Sequence, residues 1–300
     1  MGTELIRLTN SDLRHLQQKS LQMAKYVVNF CQEHDIRCYF FAGSLLGAVR
    51  HHGFIPWDDD IDIIFPAPDY VRFIEAWNKD ANKVHYSLCL QTKKYNDHTL
   101  SDSIRDNTTT FVTDSTVNLD VNQGLAIDIC PLHACPRSKF SQNIQVVLAA
   151  GSSLFKAGRV PARQSKMVRT IAKIILGIFR SPGVQYFVWH HLENMAASSD
   201  KHYADAQYVR EFSMFPFIKW IYPREWFDRV EWTTFENIEV PIPAGTKEYL
   251  TKRYGNYMKL PPEKDRHPEH RIVFMDLDTP YKEYRGIKYF VTDKKQKRQR

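Results

Sequence analysis

Between residues 11 and 34, Leu13, Leu16, Leu21, Ala24, Val27, Val28 and Cys31 recur at the three-to-four spacing of one helical face. The spacing predicts an amphipathic helix packed on a core, with Ser11 as its N-cap. Beyond it the period shortens. Arg37 to Phe41 is a β-prone run that ends at Gly43-Ser44, and Ser44 to His51 reads as a short helix. Asp58 to Phe65 is acidic and apolar by turns and is closed by Pro66 and Pro68, the pattern of a second strand with carboxylates on one side. Asp69 to Asp80 reads as helix, Tyr86 to Gln91 and Thr108 to Val112 as strands, and Leu125 to Ile129 as a strand ended by Pro131. Helices and strands that alternate over residues 11 to 131 predict an α/β architecture. From Phe140 to about Asp200 the pattern turns helical and basic, and the last hundred residues carry one clear helix, Thr246 to Tyr254. There is no internal repeat, and Lys294 onward reads as a frayed tail.

Composition narrows the class. The 300 residues are 43% hydrophobic, 13% aromatic and 25% charged, which excludes a largely disordered chain. Five cysteines are too few and odd in number for a disulfide framework, and no apolar leader is evident, so a reducing cytoplasm is expected. The most lipid-like stretch, Ile171 to Phe179, is interrupted by Lys173 and is too short to span a bilayer.

The net charge of +7 is concentrated in two places. No Asp or Glu occurs from Ile129 to Leu192, while nine cations do, and the tail adds Lys294, Lys295, Lys297, Arg298 and Arg300. The rest of the chain is therefore net acidic. Within the acid-free stretch, Val160, Met167, Val168, Ile171, Ile174, Ile175 and Phe179 interleave with Arg163, Lys166, Arg169 and Lys173. A helix of that pattern suits the headgroup layer of an anionic membrane, so residues 156–180 are a candidate peripheral membrane contact. The competing reading is a solvated cap whose cations attract an anionic substrate. The tail lacks aromatic interleaving, and no specific nucleic-acid binding is expected from it.

The chemistry centres on Asp60-Ile61-Asp62. Side chains two apart on a strand leave the same face, so both carboxylates converge while Ile61 and Ile63 enter the core. Carboxylates held that close repel unless a cation lies between them, and hard oxygen ligands select Mg²⁺ or Mn²⁺. Asp128, bracketed by Ile127 and Ile129, supplies a third acid that is costly to bury unless paired or liganded. Upstream, a glycine turn running into a helix N-terminus suits phosphate. Cys130, His133 and Cys135 fall short of a tetrahedral zinc set, and no structural zinc is expected.

The stretch from Phe41 through Gly43-Ser44 and Arg50-His51-His52-Gly53 to Trp57-Asp58-Asp59-Asp60-Ile61-Asp62-Ile63-Ile64 resembles the signature of the LicD family, the phosphorylcholine transferases that include fukutin and fukutin-related protein. Glu248-Tyr249-Leu250, Tyr254-Gly255-Asn256-Tyr257-Met258 and Leu260-Pro261-Pro262, with Arg266 and His270 after them, resemble the family's C-terminal signature. The resemblance is weakest between about Ser138 and Tyr222. It implies a nucleotidyltransferase-like α+β fold, a mixed sheet flanked by helices. On that reading residues 1–138 are a catalytic core, 139–205 a basic helical insert, 206–293 a part that completes the catalytic domain, and 294–300 a basic tail.

The activity implied is transfer of a substituted phosphate, phosphocholine or a polyol phosphate, from a CDP-linked donor to a hydroxyl of a cell-surface glycan, such as lipopolysaccharide or teichoic acid, with release of CMP. Asp60, Asp62 and Asp128 would hold the metal. Gly43 and Ser44 would contact the donor phosphates, and Arg50 and Arg105 are candidates for the same role, with a surface position the competing reading for Arg105. Asp58 is either the base that takes the acceptor's proton or a cap of its loop. Tyr254, Tyr257 and His270 are candidates for the pocket lining, and His51 and His52 shape the loop. A lipid-linked acceptor would place the enzyme at the cytoplasmic face of a membrane. Nucleotidyl transfer with release of pyrophosphate, and a catalytically silent binding module of the same fold, are the alternatives.

Overall fold

The computed structural model describes residues 5–160, 165–213 and 215–291. Arg163 and the basic tail, both part of the sequence reading above, lie outside the described residues. Helix α1 (Asn10–Glu33) is capped by Thr9 rather than Ser11, because Asp12 stands three residues after Thr9 and closes a reciprocal box with it. Thr9 N donates to the Asp12 carboxylate at 2.9 Å, and Asp12 N donates to Thr9 Oγ1 at 3.2 Å. The helix buries Leu16, Met23, Ala24 and Val27 against the sheet that follows.

That sheet begins with β1 (Tyr39–Phe40), α2 (Ala42–His51), β2 (Asp62–Pro66) and α3 (Ala67–Asp80). The chain continues with β3 (Tyr86–Cys89), β4 (Asp102–Asp106), β5 (Thr110–Thr113), which lies outside this sheet, and β6 (Ala126–Ala134). The strand order is β1-β2-β6-β4-β3. Only β2 and β6 run parallel, so the sheet is mixed and the class is α+β. Ile61, Ile63, Ile64 and Phe65 are all fully buried. Each such side chain contributes roughly 1.5–3 kcal/mol, which anchors β2 and the acids beside it.

Three local expectations are corrected. The second strand starts at Asp62, not Asp58, and Asp58 to Asp60 form the loop that leads into it. Pro68 lies in the first turn of α3, where its missing N–H has no helical partner to lose. Pro131 does not end β6, which runs on to Ala134. On the side away from β2, pairing with β4 stops at Ile129 and pairing with the next strand starts at Leu132. No ladder on that side calls for the proline's absent N–H.

After β6 the chain leaves the sheet for α4 (Lys139–Ala157), α5 (Lys166–Ile178) and α6 (Pro182–Ala196), then a 3₁₀ stretch, Ala197–Asp205. Helices α4 and α6 pack on each other, whereas α5 buries only Ala172. The chain returns as β7 (Tyr208–Glu211), antiparallel to the far half of β6, and β8 (Tyr222–Pro223) pairs with β7. A hairpin of β9 (Val230–Phe235) and β10 (Ile238–Pro243), helix α7 (Thr246–Tyr254) and β11 (Ile272–Asp276), paired with β5, complete it.

Gly47 of α2 sits where a Cβ would meet the Gly53 carbonyl oxygen at 2.6 Å. That close approach lets the loop after α2 fold back along the helix and deliver Asp58 to its first turn.

Candidate active site

The parallel register of β2 and β6 sets Asp62 opposite Asp128. Asp128 N donates to the Ile61 carbonyl at 3.0 Å, and Asp62 N donates to Ser44 Oγ at 2.8 Å, tying both strands to the start of α2. Asp60 leaves the loop just before β2 and turns to the same place. Asp60, Asp62 and Asp128 share the wall of one cavity of about 260 Å³ with Phe41, Ala42, Ser101, Glu211 and His270.

This gathering is electrostatically unfavourable without a counter-charge. Burial first, and then mutual repulsion, push the Asp62 carboxyl well above its usual range. Burial takes Asp60 up to about 7, against the pull of His270, and raises Asp128 as well. A divalent cation would relieve all three.

Asp58 stands over the first turn of α2, with its Oδ2 3.1 Å from where a Gly43 Cβ would lie. Any larger residue at Gly43 would press on that carboxylate. The helix N-terminus favours the negative charge, yet burial and the neighbours Asp60 and Asp59 hold the Asp58 carboxyl well above its ordinary value. A carboxylate with a raised affinity for protons is suited to accept one.

Asp59, to which the sequence reading assigned no role, is fully enclosed. Its carboxylate takes the backbone N–H groups of Glu269 and His270 at 3.3 and 3.1 Å, and lies 3.1 Å from His270 Nδ1. Burial would lower the imidazole, but the bond to Asp59 and the charges of Asp60 and Asp128 hold it up at about 10. His270 is thus a fixed cation at the rim of the acid cavity. Asp59, Asp60 and His270 bring one ligand atom each within 4.8 Å, the single such cluster among the described residues. Asp60, Asp62 and Asp128 do not meet that spacing and share instead the wall of the cavity.

A second ion pair backs the cavity. Glu211 of β7, fully buried, meets Arg253 Nη1 of α7 at 2.7 Å and accepts from Ser213 Oγ at 2.7 Å. The Arg253 guanidinium lies 4.0 Å from the centroid of the Phe217 ring. Two carboxylates and an arginine from positions 59, 211 and 253 therefore join the site, Glu211 and Arg253 without a local sequence signature.

The remaining candidates are distributed differently. Ser44 is buried behind the cavity wall, where its hydroxyl serves the Asp62 N–H. Arg105 is withdrawn from phosphate duty: its guanidinium is buried and committed to Asp97 at 2.9 Å, the Gly124 carbonyl at 3.1 Å and Ser103 at 3.2 Å. Those bonds are why β4, a polar stretch without strand periodicity, holds its place in the sheet. Arg50 Nη1 donates to the Tyr257 carbonyl at 2.9 Å, so Arg50 and Tyr257 fasten the segment after α7 onto α2. Tyr254, at the end of α7, is partly exposed, and Asp62 and Asp58 bear on its hydroxyl. His133 Nδ1 lies 2.7 Å from Asp200 and its ring stacks on Phe212, while burial pushes the Cys135 thiol up to about 11.

Comparison with known proteins bears on the stretch that builds this cavity. Residues 35–140 match the model of the LicD/FKTN/FKRP nucleotidyltransferase domain. The matched residues supply α2, the Asp58–Asp62 loop, β2 and β6, and with them the three central carboxylates. Over 267 residues, 86% of this chain and 96% of the relative, the chain is 27% identical to the lipopolysaccharide cholinephosphotransferase LicD of Haemophilus influenzae. Over 42 residues, 14% of this chain and 8% of the relative, it is 45% identical to the human ribitol 5-phosphate transferase FKRP.

Proposed function

We propose that this protein is a divalent-cation-dependent transferase that moves a substituted phosphate, phosphocholine or a polyol phosphate, from a CDP-linked donor to a glycan hydroxyl and releases CMP. The observation that carries the reading is that Asp60, Asp62 and Asp128 line one cavity at the start of α2, inside the stretch that matches the LicD/FKTN/FKRP domain. The activities named for the relatives, cholinephosphate and ribitol 5-phosphate transfer, fit such a cavity.

Asp60, Asp62 and Asp128 would hold Mg²⁺ or Mn²⁺, which when bound neutralises the donor's phosphate oxygens and the charge that develops in transfer. The N–H groups of the first turn of α2 would be offered to the same phosphates. The His270 cation, braced by Asp59, adds a positive edge. The acceptor oxygen forms a bond to the phosphorus that carries choline or polyol, and its proton passes to the Asp58 carboxylate. The bond from that phosphorus to the bridging oxygen breaks, and CMP departs with the electron pair.

Because the folded pKa of Asp60 is raised to about 7, the apo protein loses stability as pH climbs from its unfolded value near 4 through 7. A cation that binds the ionised carboxylates reverses that loss. The rise in melting temperature on adding MgCl₂ with a CDP-linked donor is therefore expected to be larger at about pH 8 than at about pH 5. Equal shifts would remove the carboxylates from cation binding. A panel of CDP-choline, CDP-ribitol and CDP-glycerol with product analysis tests the reaction itself: release of CMP supports the reading, and release of pyrophosphate overturns it.

Peripheral attachment to an anionic membrane belongs to the same proposal. On α5, Met167, Ile171, Ile174 and Ile178 are 70%, 49%, 57% and 70% exposed, beside the exposed cations Lys166, Arg169 and Lys173. No described helix is long and apolar enough to cross a membrane. Lys156 does not share this face, because it is buried against Glu193. Flotation with liposomes rich in phosphatidylserine is expected to fall at least about tenfold when Lys166, Arg169 and Lys173 become Gln, at about 1 kcal/mol per cation. Equal flotation would discard the idea.

A further inference from the structure

A second cavity, of about 390 Å³, lies beside the acid cavity and shares Ser101, Cys130 and Ser213 with it. Its far wall is α6. There Tyr186 and His190 stand one turn apart with rings stacked at 5.3 Å, and Trp189 meets Tyr186 edge-on at 5.1 Å. The Trp189 indole N–H is buried and has no partner among the described residues. Lys156 lies on the same wall, paired with Glu193 at 3.2 Å and 5.2 Å from the centroid of the Trp189 ring. From the opposite side Asp102 adds a carboxylate that accepts from the Tyr70 hydroxyl.

Two ligand chemistries suit aromatic rings set among carboxylates: an onium cation and a sugar. The Trp189 ring already carries the Lys156 ammonium, and that buried cation repels a quaternary ammonium group. A sugar meets no such penalty. Its C–H face packs on the half-buried ring of Tyr186, and its hydroxyls donate to Asp102 and Glu193. None of the lining comes from α2, where the donor phosphates are placed above. An acceptor seated here approaches through the wall of Ser101, Cys130 and Ser213.

We infer that this second cavity is the acceptor subsite, in which a pyranose of the glycan packs on Tyr186 and turns a hydroxyl toward the acids. The inference rests on the transferase reading and names the class of its acceptor. Helix α6 of the segment between β6 and β7 then selects the acceptor, while the LicD domain handles the donor.

Saturation-transfer NMR on the whole protein without donor tests it, with the methyl glycosides of glucose, galactose and N-acetylglucosamine and with choline chloride as probes. At least one glycoside is expected to receive saturation in the wild type and in Asp62→Asn. The signal should fall about tenfold or more in Tyr186→Ala, at constant melting temperature, and persist in Tyr186→Phe. No saturation of any glycoside, a signal unchanged in Tyr186→Ala, or saturation of choline instead overturns the assignment. Failure of the two readings is separable. Glycoside binding that depends on Tyr186, with no transfer from any CDP-linked donor, sinks the transferase and leaves the sugar pocket standing. Transfer in which Tyr186→Ala raises the KM of the donor but not of the acceptor does the reverse.

Discussion

Replacing Asp62 by Asn is expected to lower kcat on the order of 10³-fold, equivalent to about 4 kcal/mol of transition-state stabilisation. The same variant should melt higher than the wild type in the absence of divalent cation. Both effects follow from one geometry. Asp62 sits opposite Asp128 across a parallel strand pair, and burial with like-charge repulsion already pushes its carboxyl well up. The amide keeps the shape and removes one of the repelling charges, so the fold gains what cation binding loses. Kinetics with excess donor, read beside a thermal melt in EDTA, check the pair. Activity within about threefold of wild type would take Asp62 out of the mechanism.

Replacing Arg253 by Met has the largest expected effect on stability. Its guanidinium is buried against Glu211, which has no exposed surface of its own and borders the acid cavity. Without the arginine, Glu211 becomes an uncompensated buried charge among carboxylates, at a cost of about 3–5 kcal/mol. For a chain of this size that corresponds to a fall in melting temperature of roughly 10 °C. Adding Glu211→Gln to the same variant should recover part of the loss, since it removes the stranded charge. Calorimetric melts of the two variants decide it, and a single variant that melts within about two degrees of wild type would show that the pair does not brace the cavity.

The parts of the site that could be read from sequence are those whose signal is local. The run of apolar and acidic residues around Asp62, and Asp128 between two isoleucines, each announced a carboxylate on a strand, and the register of β2 and β6 sets the two side by side. Helix α7 begins and ends at the residues its pattern predicts, Thr246 and Tyr254. Strand β4 was not legible, because Ser103, Arg105 and Asp106 are polar and buried. Their burial is compensated by Asp97, the Gly124 carbonyl and Thr108, partners that no hydrophobic period reports. The same blindness left Arg105 between a phosphate contact and a surface position, neither of which has it buried against Asp97. Asp59 was passed over because strand alternation was carried back to Asp58, whereas the loop turns its carboxylate to His270, more than two hundred residues on. Glu211 and Arg253 meet across 42 residues, a pairing that only the tertiary fold creates.

The most direct test of the account is a crystal structure with Mn²⁺ and CDP-choline, in which anomalous scattering locates the cation. A Mn²⁺ peak is expected in the cavity of about 260 Å³, bound at roughly 2.1 Å by oxygens of Asp62 and Asp128 and by Asp60. The donor phosphates should complete its shell beside the first turn of α2. A Mn²⁺ held instead by Asp59 and His270, or donor phosphates bound away from the three carboxylates, would contradict it.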